Sequence, residues 1–158
     1  MYATAKLQAT PTTVSALPSA AVQVAAGAYG SYAMLVDGSI WAWGTNNVGQ
    51  LGDGTTTYMY RLSPVRIEGY GADTAMRLPP GGARANTMFV VAADGTAMGS
   101  GRNNYGQMGN GESSSRTCSE ANQYGHCITS TAGAIPELGG SPLQVARGYY
   151  HTLVLNSE

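Results

Sequence analysis

The sequence predicts an all-β protein built from repeated units of about one four-stranded sheet each. The first observation is an internal repeat: DGSIWAWGTNNVGQLGDGT at 37–55 aligns without a gap on DGTAMGSGRNNYGQMGNGE at 94–112, with nine identical positions. The second is that short apolar runs end at Asp-Gly turn signals, while no ten-residue segment shows the apolar spacing of an amphipathic helix. A repeat in fixed register is typical of stacked units, so we expect one sheet per copy.

The strands of the first unit follow from its apolar pattern. Val22 and Val24 alternate with other residues, and the run SYAMLV at 31–36 ends at Asp37-Gly38. An Asp-Gly pair between apolar segments predicts a two-residue hairpin turn, after which SIWAW supplies the returning strand. In the second copy, LPPGGARANT at 78–87 stands where the first strand is expected, and its prolines limit ladder hydrogen bonding there.

The segment after each returning strand reads as a tight turn. Glycine permits backbone angles and close approaches that a Cβ would block, and Asn or Gln amides satisfy backbone groups. With the Asp-Gly turns included, the predicted structural turn residues are Asp37, Gly38, Gly44, Asn46, Gly49, Gln50, Gly52, Gly95, Gly101, Asn103, Gly106, Gln107 and Gly109.

A third, partial copy, LQVARGYYHTLVLNS at 143–157, matches VQVAAGAYGSYAMLV at 22–36. The predicted organisation therefore has four parts. Residues 1–21 are an N-terminal segment that contributes a closing or outer strand, and 22–73 are the first repeat. Residues 74–142 are a second, degenerate repeat with an inserted loop at 112–140, and 143–158 begin a third repeat.

The pattern SYAMLVDGSIWAWGTNNVGQLGDG followed by SPVRI resembles the repeat of the regulator of chromosome condensation (RCC1) family, and the resemblance covers about residues 13–157. It implies the blades of a seven-bladed β-propeller. We therefore expect a partial β-propeller of about two to three four-stranded RCC1-type blades. Two blades and the start of a third cannot close a ring, so we expect either a piece of a longer propeller or edges paired with neighbours in a larger complex.

Composition and charge exclude several classes of function. Eight Lys and Arg face nine Asp and Glu without a basic cluster, which argues against a direct nucleic-acid partner. No apolar stretch is long enough for membrane insertion. We find no triad, dinucleotide-binding or metal-ligand motif, so the prediction is a non-enzyme with no cofactor and no metal. His126 beside Cys127 lacks the further ligands that a metal site requires.

Cys118 and Cys127 are the two cysteines, and both fall in the polar inserted loop. They are a candidate disulfide; the alternative is two reduced thiols in a cytosolic loop. A disulfide would favour an oxidising compartment for this soluble chain, extracellular, periplasmic or in an organelle lumen.

Tyrosines at predicted turns and loops offer broad contact area to a protein partner, although packing between blades is an equal alternative for any one of them. The candidate partner-binding residues are Tyr58, Tyr60, Tyr105, Tyr124 and His126. The predicted function is a non-catalytic protein-protein interaction scaffold. The alternative is a structural subunit whose open blade edges are covered by neighbours. The family resemblance adds a further alternative, a guanine-nucleotide exchange factor for a small GTPase.

Overall fold

The computed structural model describes residues 10–67, 76–82, 84–92, 94–114, 119–123, 125–134 and 142–157, and within them it contains ten strands and no helix. Blade one is an antiparallel sheet in the order β1 (Ala21–Ala26), β2 (Gly30–Leu35), β3 (Ile40–Asn46) and β4 (Thr57–Arg66). Blade two follows the same order with β5 (Met76–Arg77), β6 (Thr87–Ala92), β7 (Ala97–Arg102) and β8 (Ile128–Ala134). The third unit pairs β9 (Pro142–Arg147) with β10 (Thr152–Asn156). The architecture is a partial β-propeller, as predicted.

The Asp-Gly turns are longer than the two-residue hairpin that the sequence predicts. In blade one the Gly38 N–H donates to the Leu35 carbonyl at 3.0 Å, and the Leu35 N–H donates to the Ser39 carbonyl at 2.9 Å. Gly38, with φ of 77°, therefore follows the turn as a bulge residue. Asp37 Oδ1 accepts from both the hydroxyl and the N–H of Ser39, and these bonds hold the pKa of Asp37 below its usual range.

Prolines set the length of the first strand in blade two. The strand β5 has two residues and ends before Pro79 and Pro80, as expected from their missing donors. Residues 10–20 contain Pro11 and Pro18 and form no strand, so in this part of the chain the predicted closing or outer strand is absent. The inserted loop is also shorter than the predicted 112–140, because Ile128–Ala134 pair with β7 as β8.

Successive sheets pack face to face through alternate residues of their second strands. Tyr32 and Met34 of β2 lie in one buried cluster with Met88 and Val90 of β6. The intervening residue Phe89, with Val91, instead packs with Val145 of the third unit. Every residue of β6 is consequently buried, because a sheet covers each of its two faces.

Arginine–carbonyl hydrogen bonds join blade two to the third unit. Arg147 is 5% exposed, and its guanidinium donates to the carbonyls of Thr87 at 2.6 Å and Pro79 at 2.9 Å. Burial lowers the pKa of Arg147, and the two carbonyls compensate part of the lost hydration. Arg77 donates in the same way to the carbonyl of Pro142 at 2.6 Å. These bonds fix the position of the third unit relative to the blade before it.

Candidate functional site

Loops from all three units meet at one end of the sheets. Antiparallel strands reverse direction at each connection, so the loops after β1, β3, β5, β7 and β9 lie at the same end. The Ala28 N–H donates to the Ala85 carbonyl at 3.0 Å, which joins the first turn of blade one directly to blade two. Residues far apart in sequence thereby form one surface, here named the loop end.

A buried asparagine holds the loop between β3 and β4. Asn46 is inaccessible to solvent; its Oδ1 accepts from the Leu51 N–H at 3.0 Å, and its Nδ2 donates to Asp53 Oδ1 at 2.8 Å. Gln50 adds a second clamp, since its Oε1 accepts from the Val48 N–H at 3.0 Å. The amide side chains of this polar stretch therefore replace the backbone ladder that the loop lacks.

The second repeat copies this arrangement. Asn103 is also inaccessible; its Oδ1 accepts from the Met108 N–H at 3.0 Å, and its Nδ2 donates to Asn110 Oδ1 at 2.8 Å. Gln107 Oε1 accepts from the Tyr105 N–H at 2.9 Å. The two loops are consequently held in equivalent conformations at the loop end.

Two equivalent glycines allow the loops to lie close to the turns beside them. Gly44 has φ of 109° and Gly101 has φ of 117°, and a Cβ at either would collide with a carbonyl oxygen, of Tyr29 or Asn86 respectively. Each carbonyl accepts a backbone N–H from the residue after the glycine; for Asn86 the donor is Arg102, at 3.0 Å. Glycine is needed here for close approach as well as for its backbone angle.

The insertion folds back on blade one. Its described part contains a small hairpin in which the Asn122 N–H donates to the His126 carbonyl at 3.0 Å, with Gly125 in the turn at φ of 71°. The Asn122 side chain then donates across to the Asn47 carbonyl at 3.0 Å. This contact brings His126 to the loop end.

Two adjoining cavities of about 360 and 570 Å³ form a groove at the loop end, named the loop groove from here on. They share Tyr29, Asn86 and Tyr149 as lining residues. The described residues that line it are Ala28, Tyr29, Thr45, Asn47, Val48, Tyr60, Arg84, Asn86, Arg102, Asn122, His126, Tyr149 and Tyr150. The groove thus takes residues from both blades, the insertion and the third unit.

Arg102 lies at the end of β7 and reaches toward the third unit. Its Nη1 donates to the Tyr149 hydroxyl at 3.3 Å, and its guanidinium carbon is 5.9 Å from the centroid of the Tyr149 ring. The Nε of Arg102 is buried and has no hydrogen-bond partner among the described residues. The guanidinium is therefore held at the boundary between blade two and the third unit.

An exposed tyrosine cluster extends the groove along the loop end. The rings of Tyr105 and Tyr150 meet edge to face with centroids 4.7 Å apart, and those of Tyr149 and Tyr150 do so at 4.2 Å. Tyr105 and Tyr150 remain 62% and 52% exposed. Such rings combine a large apolar area with a polar tip, which is typical of protein-binding surfaces.

The structure brings several candidate partner-binding residues to this surface. Tyr60 and His126 line the loop groove, and Tyr105 belongs to the tyrosine cluster beside it. Tyr124 and the side chain of Tyr58 lie outside the described residues.

Sequence reasoning did not select Arg102 or Asn86, because neither has a motif around it. Tyr29, Tyr149 and Tyr150 were recognisable only as tyrosines near predicted turns. A signal did exist for Tyr29 and Tyr150, since the alignment of the first and third repeats places them at equivalent positions. Tyr32, by contrast, is 1% exposed and packs between the blades.

Cys127 is inaccessible and disulfide-bonded. Its N–H donates to the Ser114 hydroxyl at 3.4 Å, and its carbonyl accepts from the Asn103 N–H at 2.8 Å. Cys118 lies outside the described residues, so its pairing with Cys127 stays a prediction.

Within the described ranges, no three His, Cys, Asp or Glu side chains are grouped so that they could hold a metal ion. The same residues include no helix of the length and apolarity that crossing a membrane requires. The described lining of the loop end offers aromatic rings, amides and guanidinium groups.

Comparison with known families and proteins gives consistent matches. Residues 21–50 and 37–74 match models of the regulator of chromosome condensation (RCC1) repeat. The human probable E3 ubiquitin-protein ligase HERC4 is 38% identical over 88 residues, which is 56% of this chain and 8% of that protein. The Arabidopsis thaliana ultraviolet-B receptor UVR8 is 30% identical over 145 residues, 91% of this chain and 29% of the receptor.

Solved structures match over most of the chain. Saccharomyces cerevisiae Prp20p superimposes with a TM-score of 0.69 at 17% identity, covering 87% of this chain and 31% of that one. Human WBSCR16 superimposes with a TM-score of 0.66 at 25% identity, covering 89% and 32%. The chain thus spans about a third of each of these structures and less of the curated relatives.

Proposed function

This chain is an RCC1-type repeat protein, and from that premise we propose that it is a non-catalytic scaffold that binds a protein partner through its loop end. The observation that carries the proposal is the convergence of loops from three units on the loop groove and the tyrosine cluster. Buried asparagines hold two of these loops in place, so binding orders few groups and loses little conformational entropy. Exposed tyrosines at the centre of a contact contribute strongly to binding.

The test is capture of a partner by chemical cross-linking, with quantification by mass spectrometry. Tyr29→Ser combined with Tyr60→Ser removes two exposed rings from the loop groove, and we expect the captured partner to fall at least about tenfold. Val36→Ser is the matched control, because Val36 is 62% exposed but lies in the β2–β3 turn at the other end of blade one. Equal capture by the double variant and the control would contradict the proposal.

A second candidate function is a structural subunit whose open blade face is covered by a neighbour. Leu153 and Leu155 are 65% and 58% exposed and align with Phe89 and Val91, which are buried against the next unit. Sedimentation velocity separates the two functions: a structural subunit should associate as its concentration rises, and Leu153→Ser with Leu155→Ser should abolish that association. If the protein stays a monomer at all concentrations, the structural-subunit function is refuted and the scaffold function is retained.

We also propose that Cys127 is bonded to Cys118 and that the protein belongs to an oxidising compartment, where such a bond persists. Peptide mass mapping without reduction should recover one fragment containing both cysteines. Two alkylated thiols in the native protein would refute the pairing and remove the support for that compartment.

The activities named for the relatives are not carried over to this chain. Prp20p has binding properties toward Gsp1p and histones, but at 17% identity the likeness supports the fold alone. The ligase and receptor activities belong to proteins of which this chain spans 8% and 29%. Nucleotide exchange therefore stays the third hypothesis, and release of labelled GDP from a GTPase panel tests it.

A further inference from the structure

The loop groove carries a one-sided charge. Among the described residues that line it, Arg84 and Arg102 are cationic and none is an aspartate or glutamate. Neither arginine forms an ion pair with a residue that the structure describes. The ion pair between described residues joins Arg61 to Asp53 at 3.1 Å, and neither of these is among the described lining residues. The field inside the groove therefore favours an anionic group.

Arg102 is positioned to receive such a group. The Tyr149 hydroxyl accepts from one Nη at 3.3 Å, and the guanidinium lies near the face of the Tyr149 ring. A guanidinium held in this way loses little rotational freedom when it binds a carboxylate through two parallel N–H bonds.

The rest of the lining indicates what accompanies the carboxylate. Tyr29 and Tyr60 are 72% and 65% exposed and present ring area, while Asn86 offers amide hydrogen bonds. Two adjoining cavities of about 360 and 570 Å³ have room for several side chains. A free inorganic anion would leave the aromatic walls without contacts.

Nucleic acid fits the groove less well. Phosphate backbones are bound by stripes of many cationic residues, whereas this chain has eight Lys and Arg against nine Asp and Glu. Two arginines flanked by tyrosines match a short acidic segment of a protein.

Resting on the proposed scaffold function, we propose that the loop groove binds an acidic peptide segment of the partner, with Arg102 receiving an aspartate or glutamate next to an aromatic or apolar residue. Tyr149 acts as a positioning residue for the Arg102 guanidinium. Arg84 attracts a second carboxylate at the other cavity.

The experiment is selection of random twelve-residue peptides displayed on phage, followed by fluorescence anisotropy with the selected peptides. Wild-type protein should enrich peptides in which Asp or Glu adjoins an aromatic residue. Arg102→Gln should weaken their binding at least about tenfold, and Arg102→Lys, which keeps the charge without the paired donors, should be intermediate. Tyr149→Phe should weaken binding less while preserving the selected sequence pattern.

Arg66→Gln is the matched control, because Arg66 is an exposed arginine of β4 that does not line the groove. It makes the same change of net charge and should leave binding within about twofold. Thermal melting of all variants checks folding; if Arg102→Gln unfolds, Arg102→Lys and Tyr149→Phe carry the test.

Each outcome distinguishes this inference from the function on which it rests. Selected peptides without acidic residues, or peptides bound equally by Arg102→Gln, would overturn the acidic-peptide site while leaving a protein-binding groove. Binding of a twelve-nucleotide single-stranded DNA that depends on Arg102 would also overturn it, in favour of a phosphate ligand. Failure of both peptide selection and partner cross-linking would refute the scaffold function itself.

Discussion

Asn46→Ala should destabilise the protein severely, because one buried side chain closes the β3–β4 loop. The substitution leaves the N–H of Leu51, a fully buried residue, without its acceptor, at a cost of about 1–3 kcal/mol. It also removes the hydrogen bonds from Nδ2 to Asp53 and to the Thr55 carbonyl, each worth about 0.5–1.5 kcal/mol. We expect the free energy of unfolding to fall by about 4 kcal/mol.

Asn47→Ala is the control within the same motif. Its side chain makes a long contact of 3.4 Å with Gln50, and its carbonyl, which accepts from Asn122, is retained in the variant. We expect a loss below about 1 kcal/mol. Urea unfolding followed by the fluorescence of Trp41 and Trp43 measures both variants. Losses that agree within about 0.5 kcal/mol would refute the role assigned to Asn46.

Asn46→Asp separates the acceptor of the side chain from its donors. The aspartate keeps an oxygen for the Leu51 N–H but places a second carboxylate against Asp53. Relative to the wild-type protein, the variant should therefore lose more stability at pH 7 than at pH 4, where protonation relieves the repulsion. The comparison is with the wild-type protein at each pH: a difference in stability between variant and wild type that is no smaller at pH 4 than at pH 7 would contradict this account of the donors.

Phe89→Ala should lower the free energy of unfolding by about 3–5 kcal/mol, because Phe89 is 1% exposed between blade two and the third unit. Leu153→Ala should lower it by less than about 1 kcal/mol, because Leu153 is 65% exposed. Thermal melts of the two variants check the difference, and equal losses would mean that the third unit does not cover blade two. Gly44→Ala should lower the free energy of unfolding more than Gly111→Ala does. Both glycines have positive φ, worth about 1–2 kcal/mol, but a Cβ at Gly111 meets no described atom within 4 Å. Urea unfolding compares them, and equal costs would remove the close approach as the reason for Gly44. The pKa of Asp37 is lowered by the Ser39 hydrogen bonds, so its contribution to stability is present above its unfolded pKa and is lost as the pH falls through the folded value. NMR titration should give a midpoint below 3.8 for Asp37, and a midpoint at or above that value would contradict the bonded turn.

The strands of the blades could be predicted because their signals are local. Apolar alternation and Asp-Gly turns mark β1 to β3, and the prolines at 79 and 80 explain why β5 is short. The role of Asn46 and Asn103 was also within reach, since the same residue recurs in the same register. In these cases the residues that determine the local structure lie in the same short segment as the structure that they determine.

The loop groove could not be predicted in the same way. Arg102 and Tyr149 are 47 residues apart, and Asn122 bonds to a carbonyl 75 residues away. Such contacts depend on how one unit is placed on the next, which periodicity within a single unit does not specify. The turn geometry around Gly38 was not predicted because an Asp-Gly pair is compatible both with a two-residue hairpin turn and with a three-residue turn that ends in a glycine bulge.

Alternate residues of β6 pack against blade one and against the third unit, and this has a consequence for how the molecule opens. Each buried cluster contains residues of two neighbouring units, so the stability of a unit is the sum of a term for the unit and a term for each interface. Among the described residues of this 158-residue chain, blade two packs against two units and the third unit packs against one, through Val145 and its neighbours. Local opening should therefore begin in β9 and β10 and reach blade two last, which makes the middle of the chain the most protected against amide exchange and proteolysis.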